Sequence, residues 1–444
     1  MVGFAEFFLM TSPLSGARGM LRRARASRFV RDVVLLSGST AVGQALVALA
    51  TPVLTRLYTP AEFGVFGIFL SAVSVASIGV TLQFDVAVPG ARDDDEGRAL
   101  VVACLVLTIP MTLLLTALLW LASSQVWSGL DAIGTMGVVL LMPALAGFGA
   151  TSTLRYWLVR RKRFDRLGLV AVGQGASRAI VPMLLAATTA GWAGIAAGEV
   201  AGRWFGLSTM LRAALPDLRM AFASGWPGRA RVAVRRYASF VGTVLPSSLA
   251  DVLVISLPLP LLSSAYGASA AGVFLLVQRL VSIPASLVGA SVADVFHADA
   301  SILFRTTPAR LPAAVGGVAG HLFRMGAVFL LPLALVAPWG AEIVFGQEWS
   351  AAGAALAILT PAALANLVVM PVSRVLFVVR RNELKIVYDV LALVLLIGGL
   401  ALARRLRLPL LGAIGALSAA QCLSYGVYYF LIRYATLHPR AESV

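Results

Sequence analysis

Residues 57–74, LYTPAEFGVFGIFLSAVS, can be laid on residues 265–282, AYGASAAGVFLLVQRLVS, without a gap. Tyr58, Gly64, Val65, Phe66, Val73 and Ser74 recur as Tyr266, Gly272, Val273, Phe274, Val281 and Ser282. Each segment is a short polar loop leading into an apolar run, and each belongs to a series. Twelve apolar stretches follow one another at 33–54, 63–84, 99–121, 132–154, 167–187, 191–211, 237–263, 268–292, 321–345, 352–376, 386–403 and 410–432. A bilayer core about 30 Å thick needs about 20 apolar residues per helix, which nearly all of these supply. The repeat covers the loop before, and most of, the second and the eighth stretch, so its offset is six spans. Six is even, and the two halves therefore enter the membrane in the same sense. The predicted fold is an all-α polytopic membrane protein with 12 transmembrane helices, arranged as two parallel six-helix bundles around a central cavity. Such repeats are characteristic of alternating-access transporters, with the substrate site at the repeat interface.

Charge placement supports this topology. Both termini and the even-numbered gaps hold 27 of the 36 basic residues, while the odd-numbered gaps hold four. Lys and Arg favour cytoplasmic loops, which puts both ends inside the cell. Arg404, Arg405 and Arg407 run against the rule on the outer side. The chain is 59% hydrophobic, too apolar for a soluble protein of 444 residues. Its net charge of +16 comes from loop clusters such as Arg160, Arg161, Lys162 and Arg163, which suit anionic lipid headgroups rather than nucleic acid. The expected organisation is a basic cytoplasmic segment 1–32, bundles over 33–211 and 237–432, a cytoplasmic linker 212–236 and a cytoplasmic tail 433–444. The gap 293–320 has room for a surface helix.

Other chemistries find no support in the sequence. Cys104 and Cys422 both fall inside predicted helices, as small apolar packing residues rather than a disulfide. His297, His321 and His438 show no ligand spacing, and neither a metal nor a cofactor is expected. Phe7-Phe8-Leu9-Met10 has no positive residue before it and makes a poor signal peptide. The following basic run suits an amphipathic surface helix, and a start at Met20 is the competing reading.

Charges inside the membrane cost about 2.5–3.5 kcal/mol each on insertion scales, so each calls for a reason. Five lie well inside spans: Arg178, Glu199, Arg203, Asp251 and Arg279. Glu199 and Arg203 are four apart on one helix face and can pair. Arg178 can join them across the very short turn between the fifth and sixth spans, leaving a net positive cluster. Arg279 has no acidic neighbour within a turn; Asp251 on the preceding helix is one candidate partner, and an anionic ligand is the other. Its planar guanidinium suits a phosphate. Arg56 closes the first span and Asp85 the second. Gln44, Gln174 and Asn366 are uncharged candidates for hydrogen bonds across helices. Pro246, Pro258 and Pro260 predict a bent seventh span that acts as a hinge.

The run Thr51-Pro-Val-Leu-Thr-Arg-Leu-Tyr-Thr-Pro-Ala-Glu-Phe-Gly-Val-Phe, residues 51–66, resembles the first loop of Wzx-type polysaccharide-repeat-unit flippases. These belong to the multidrug/oligosaccharidyl-lipid/polysaccharide exporter superfamily. The continuation Leu82-Gln-Phe-Asp-Val-Ala-Val-Pro and the acidic stretch Asp93-Asp-Asp-Glu resemble that family's second helix and next loop. The resemblance implies a bacterial inner-membrane flippase that moves an undecaprenyl-diphosphate-linked glycan to the outer leaflet. It implies a basic central cavity, for which Arg279, Arg178, Arg203 and Arg56 are the candidate cations. Asp251, Glu199 and Asp85 are the candidate coupling or ion-pair acids, with a proton or sodium counter-ion. Membrane lipids and polysaccharide biosynthesis enzymes are the other partners implied.

A multidrug or small-solute exporter of the same superfamily shares this architecture. A major-facilitator transporter would normally carry a basic Gly-x-x-x-Asp-Arg-like motif where this chain has Asp93-Asp94-Asp95-Glu96. A lipid-sugar polymerase or ligase usually needs a substantial outer loop, and the outer loops here are about ten residues or shorter. Flipping needs no covalent chemistry, so the expectation is a transporter and not an enzyme.

Overall fold

The computed structural model describes residues 17–123, 130–188, 190–223, 225–285, 289–381 and 383–438. The Phe7–Met10 patch and the end of the predicted tail lie outside these residues. Among the described residues every regular element is a helix. The first half comprises α1 (Ala17–Leu57), α2 (Pro60–Val80), α3 (Asp94–Ser123), α4 (Gly134–Arg160), α5 (Phe164–Leu185) and α6 (Trp192–Ala223). A linker helix, α7 (Trp226–Arg236), follows. The second half comprises α8 (Ser239–Ser256), α9 (Pro258–Tyr266), α10 (Ala268–Pro284), α11 (Ala290–Thr306), α12 (Leu311–Phe345), α13 (Ser350–Val372), the short α14 (Val375–Val378), α15 (Glu383–Arg405) and α16 (Leu410–Leu437).

Ten helical segments among the described residues are long and apolar enough to cross a bilayer. The predicted twelve thus resolve into those ten, one charged helix and one short helix. The charged one is α6, where Glu199, Arg203 and Arg212 interrupt the apolar run. The short one is α10, apolar over Ala268–Ile283. Its predicted continuation to 292 enters the separate helix α11, which fills the first half of the 293–320 gap, while α12 begins within the gap at Leu311. The basic stretch after residue 17 is continuous with the first span rather than a separate surface helix. The linker is also helical: α6 runs on to Ala223, and α7 packs against α3. Arg229 pairs with Asp95 at 2.7 Å and Arg236 with Glu96, so the acidic stretch anchors the linker.

The outside of the bundle is apolar. Leu49, Leu184, Trp339, Ile343 and Phe430 are each more than two-thirds exposed, which suits lipid and not water. Lipid tails are as apolar as leucine, so association of such helices depends on close packing. Glycine supplies it at defined crossings. A Cβ on Gly175 of α5 would lie 2.3 Å from the Gly43 carbonyl oxygen of α1. One on Gly353 of α13 would lie 2.2 Å from the Ala337 carbonyl oxygen of α12.

The most intimate crossing joins the two halves. A Cβ on Gly64 would lie 1.8 Å from the Ala268 carbonyl oxygen, and one on Gly272 would lie 1.8 Å from the Pro60 carbonyl oxygen. Pro60 and Ala268 are themselves repeat equivalents, as are Gly64 and Gly272. The repeat therefore packs on itself about a local two-fold axis, as an isologous contact does. Around it, one continuous core takes in Tyr58, Phe63 and Phe69 of the first half and Phe274, Trp349 and Leu417 of the second. At the opposite end each half has its own core, around Trp157 in the first and Tyr428 in the second. The halves thus diverge from a sealed end into a cleft. Along one flank α8 follows α2, and Ser248 donates to Gln83 Oε1 at 3.4 Å.

Local signals fix the sealed end. Thr59 caps α2 in a capping box: its Oγ1 accepts from the Glu62 N–H, and its own N–H donates to Glu62 Oε2 at 2.8 Å. Pro60 takes the first helical position, where no N–H is required. In the second half Gly267, at φ +86°, performs the same entry without a side-chain cap. Thr59→Ala is expected to cost about 1 kcal/mol in denaturant titrations of the purified protein. An unchanged midpoint would show that α2 is held by packing alone.

Candidate functional site: a cationic cavity between the halves

Three arginines meet one glutamate in the cleft. Glu199 is buried on α6, one turn before Arg203 on the same face. The turn between α5 and α6 brings Arg178 alongside. Glu199 Oε2 lies 2.6 Å from Arg178 Nε, and its Oε1 accepts from Nη2 of both Arg178 and Arg203 at 2.8 Å. The acid is nearly covered, with 6% side-chain exposure, while the arginines retain 32% and 13%. The negative charge is therefore hidden behind the positive ones. Arg203 also lies over the Phe148 ring, 4.9 Å from its centroid.

Arg279 comes from the other half, on α10. Its guanidinium lies over the ring of Phe66, 5.2 Å from the centroid. That ring comes from α2, so the contact crosses the interface between repeats. Cation–π attraction holds the charge without neutralising it. Among the described residues no ion pair reaches Arg279; Glu199 acts on it through space. Three cations against one anion leave the site at +2.

Two adjoining cavities surround these groups. One of about 290 Å³ lies between the halves, with Arg178, Glu199, Arg203, Arg279 and Ser74 in its wall. The other, of about 410 Å³, lies wholly within the first half and carries Thr40, Thr151, Ser152 and Gln174. Gln44, Arg178 and Arg203 border both. The Gly43–Gly175 crossing explains the amides: it draws α1 and α5 together and places their neighbours Gln44 and Gln174 on the cavity.

The profile of the polysaccharide biosynthesis proteins matches residues 53–354. The chain belongs to that family. It is also 28% identical over 377 residues, 79% of this chain and 80% of the relative, to uncharacterized proteins of Mycobacterium tuberculosis and Mycobacterium bovis. Among solved structures it is similar to a multidrug resistance MATE family transporter of the MOP superfamily in an inward-facing conformation. The TM-score is 0.68 at 16% identity, covering 90% of this chain and 96% of that one. A MOP superfamily transporter from Pyrococcus furiosus, whose binding pocket is described as reversed in polarity, follows at 0.63, with 14% identity over 93% and 96% of the two chains. An outward-facing MATE family structure matches at 0.60 and 16% identity, over 93% and 96%. The fold is that of these transporters, and the chain is a multi-pass membrane protein.

The remaining sequence candidates fall elsewhere. Arg56 does not join the other cations. It sits at the sealed end, where its Nη2 donates to the Ile343 carbonyl at 3.0 Å across the halves. Beside it the Trp349 indole donates to the Thr55 carbonyl at 2.8 Å. Asp251 does not reach Arg279. Lys385, in the gap before the eleventh apolar stretch, donates to Asp251 at 2.7 Å and to Asp389 at 2.8 Å. The Lys385–Asp389 spacing of four residues was the available signal. Asp85 is buried after the second span and accepts hydroxyls from Thr81, at 2.8 Å, and from Ser152. The chain reaches this position through Leu82 and Gln83, both at left-handed φ (+50° and +64°).

In the predicted seventh span Leu257 joins α8 to α9 with helical backbone angles (φ −62°, ψ −33°), and its N–H donates to the Leu253 carbonyl at 2.9 Å. Pro258 and Pro260 open the second piece and Pro246 lies inside the first. Asn366 donates to the Tyr425 hydroxyl at 2.6 Å, in the second half away from the cations. Among the described residues no group of three His, Cys, Asp or Glu side chains is placed to hold a metal ion.

Proposed function

We propose that the protein is a flippase. It translocates undecaprenyl-diphosphate-linked oligosaccharide repeat units from the inner to the outer leaflet of the bacterial inner membrane, for surface polysaccharide. The observation that carries this reading is the +2 cavity at the interface of the repeats, closed at one end and reachable from the other. The lipid tail stays in the bilayer while the anionic headgroup occupies the cavity. Arginine is the residue of choice for a diphosphate, because its planar donors match two oxygens at once. The Lys and Arg distribution supports a cytoplasmic placement of both termini, so the open end faces the cytoplasm and receives substrate. The two MATE conformations that resemble this chain support a cycle in which the seal changes ends. Pro258 and Pro260 mark where the seventh span bends during that change. Net movement outward draws on a counter-ion or on the supply of new headgroups.

Translocation of a lipid-linked glycan and a multidrug function make opposite demands on this cavity. A cationic drug entering a +2 site is repelled, whereas a diphosphate is attracted. This favours the lipid-linked glycan over the exporter alternative.

Replacing Arg279 by glutamine removes one of the cations that touch the headgroup. A hydrogen bond to a charged group contributes about 1.5–3 kcal/mol, so binding is expected to weaken roughly ten- to a hundredfold. In a host deleted for the gene, lipid-linked repeat units should accumulate in the inner leaflet, with rescue by the wild-type protein and poor rescue by Arg279→Gln. Unchanged lipid intermediates and surface glycan in the deletion strain would move the reading to the exporter.

A further inference from the structure

Resting on the flippase reading, the walls of the larger cavity carry information about what the diphosphate bears. We propose that the first half of the chain holds the glycan. Thr40, Thr151 and Ser152 form a wall of hydrogen-bond acceptors for sugar hydroxyls, and Asp85 positions Ser152 within it.

The proton inventory leads to this assignment. Thr40 Oγ1 donates to the Leu36 carbonyl at 2.9 Å, and Thr151 Oγ1 donates to the Gly147 carbonyl at 2.6 Å. Carbonyl oxygens only accept, so both hydroxyl protons are committed away from the cavity. Ser152 Oγ donates to Asp85 Oδ2, and a carboxylate also only accepts. Thr81 holds the other carboxylate oxygen at 2.8 Å, which fixes the orientation of Asp85. Each of the three cavity hydroxyls therefore turns its free lone pairs toward the cavity. A phosphate offers acceptors and gains nothing from such a wall. A sugar ring offers several O–H donors and is matched by it, while the amides of Gln44 and Gln174 serve either kind of group.

Position agrees with chemistry. The acceptor wall shares its cavity with Arg155, Arg178 and Arg203, so a diphosphate on Arg178 and Arg203 places its first sugars against Thr151 and Ser152. The volume, about 410 Å³, lies within the 300–1,000 Å³ common for small-ligand sites. Every side chain in this wall belongs to α1, α4, α5 or α6. The glycan thus travels with the first half, while the second half contributes the Arg279 cation. The assignment also accounts for a buried carboxylate that the diphosphate site does not use: Asp85 removes the one serine proton that would otherwise face the ligand.

The test compares two probes on the full-length protein in nanodiscs, undecaprenyl diphosphate and undecaprenyl-diphosphate N-acetylglucosamine. Native mass spectrometry reads the bound fraction of each. The wild-type protein is expected to prefer the glycosylated lipid by about tenfold, which corresponds to two ordinary hydrogen bonds. The Thr151→Val/Ser152→Ala double variant should lose that preference while its affinity for the bare lipid diphosphate stays within about twofold, and that retained affinity reports that it is folded. Asp85→Asn should lower the preference in the wild-type background and have no further effect once Ser152 is alanine. A preference that survives in the double variant overturns the glycan wall. A wild-type protein that binds both lipids equally does the same and leaves the flippase reading standing. A wild-type protein that binds neither lipid overturns both.

Discussion

Replacing Gly272 by alanine is expected to abolish surface polysaccharide export while leaving a folded, membrane-inserted protein. The new Cβ would lie 1.8 Å from the Pro60 carbonyl oxygen, where real contacts do not fall below 3.0 Å. The obstacle is backbone, so no rotamer change relieves it. The helices α2 and α10 must part by about 1 Å or more, and the shared core around Phe63 and Trp349 loses contact with them. Overpacking of this kind typically costs 1–3 kcal/mol, and contact with a carbonyl places it near the upper end. A cost of about 3 kcal/mol shifts a two-state equilibrium roughly 150-fold away from the sealed state. Gly64→Ala should act in the same way, because its Cβ meets the equivalent carbonyl of Ala268. The reporter is a cysteine at Thr55, which is buried at the seal, in a chain lacking Cys104 and Cys422. A water-soluble maleimide should label it slowly in the otherwise native chain, where the seal opens only during the transport cycle, and much faster in the Gly272→Ala variant. An unchanged labelling rate together with normal export would show that the crossing is not part of the transport cycle.

The repeat that leads to this prediction was legible because it rests on residues with local consequences. A tyrosine, a glycine and an aromatic at fixed spacing survive in both halves, and helix counting places them at equivalent positions. Their contact with each other was not legible. Periodicity assigns a residue to a helix face, but it does not say which helix covers that face. Tyr58 and Tyr266 illustrate the limit: their hydroxyls donate to the Pro182 and Leu408 carbonyls, each tying the repeat to its own half. Nothing near either tyrosine in sequence indicates those partners.

The cation cluster divides along the same line. Arg178, Glu199 and Arg203 are joined by one short turn and one helical repeat, so local reasoning brings them together. Arg279 joins from 76 positions beyond Arg203, and its Phe66 neighbour belongs to the other half. Lys385 is not marked by the sequence as an intramembrane charge, because it lies in a gap rather than a span. Its four-carbon stem lets the ammonium reach two carboxylates on α8 and α15, as long cationic side chains do at membrane boundaries. The loop motif alone groups Arg56 with the cavity cations. The same motif forms the seal, so the arginine contacts a carbonyl of the opposite half there. The orientation of the hydroxyls on Thr40, Thr151 and Ser152 depends on backbone carbonyls and on a carboxylate 67 positions from Ser152.

Glu199→Gln is expected to make the protein less stable and at the same time more responsive to diphosphate. The carboxylate is the shared partner of Arg178 and Arg203, and glutamine leaves two guanidinium groups with no countercharge. Breaking a buried pair by removing one member costs about 3–5 kcal/mol. Arg178 retains access to the cavity, which places the expected loss near 3 kcal/mol or below. The melting temperature in detergent should fall accordingly. Neutralising the acid also raises the cavity from +2 to +3, so an anion bound there recovers more energy than in the wild-type protein. Ligand stabilisation grows as RT ln(1 + [L]/Kd), and inorganic diphosphate should therefore raise the melting temperature of Glu199→Gln more than that of the wild type. Tighter holding has a consequence for transport, because a headgroup that is not released cannot leave the cavity at the far leaflet. Export by the variant should be slow even at diphosphate-lipid levels that saturate the site. Glu199 on this account lowers the affinity of three arginines to a level compatible with turnover. Equal stabilisation of both proteins by diphosphate would remove that role and leave Glu199 as a helix-joining ion pair only.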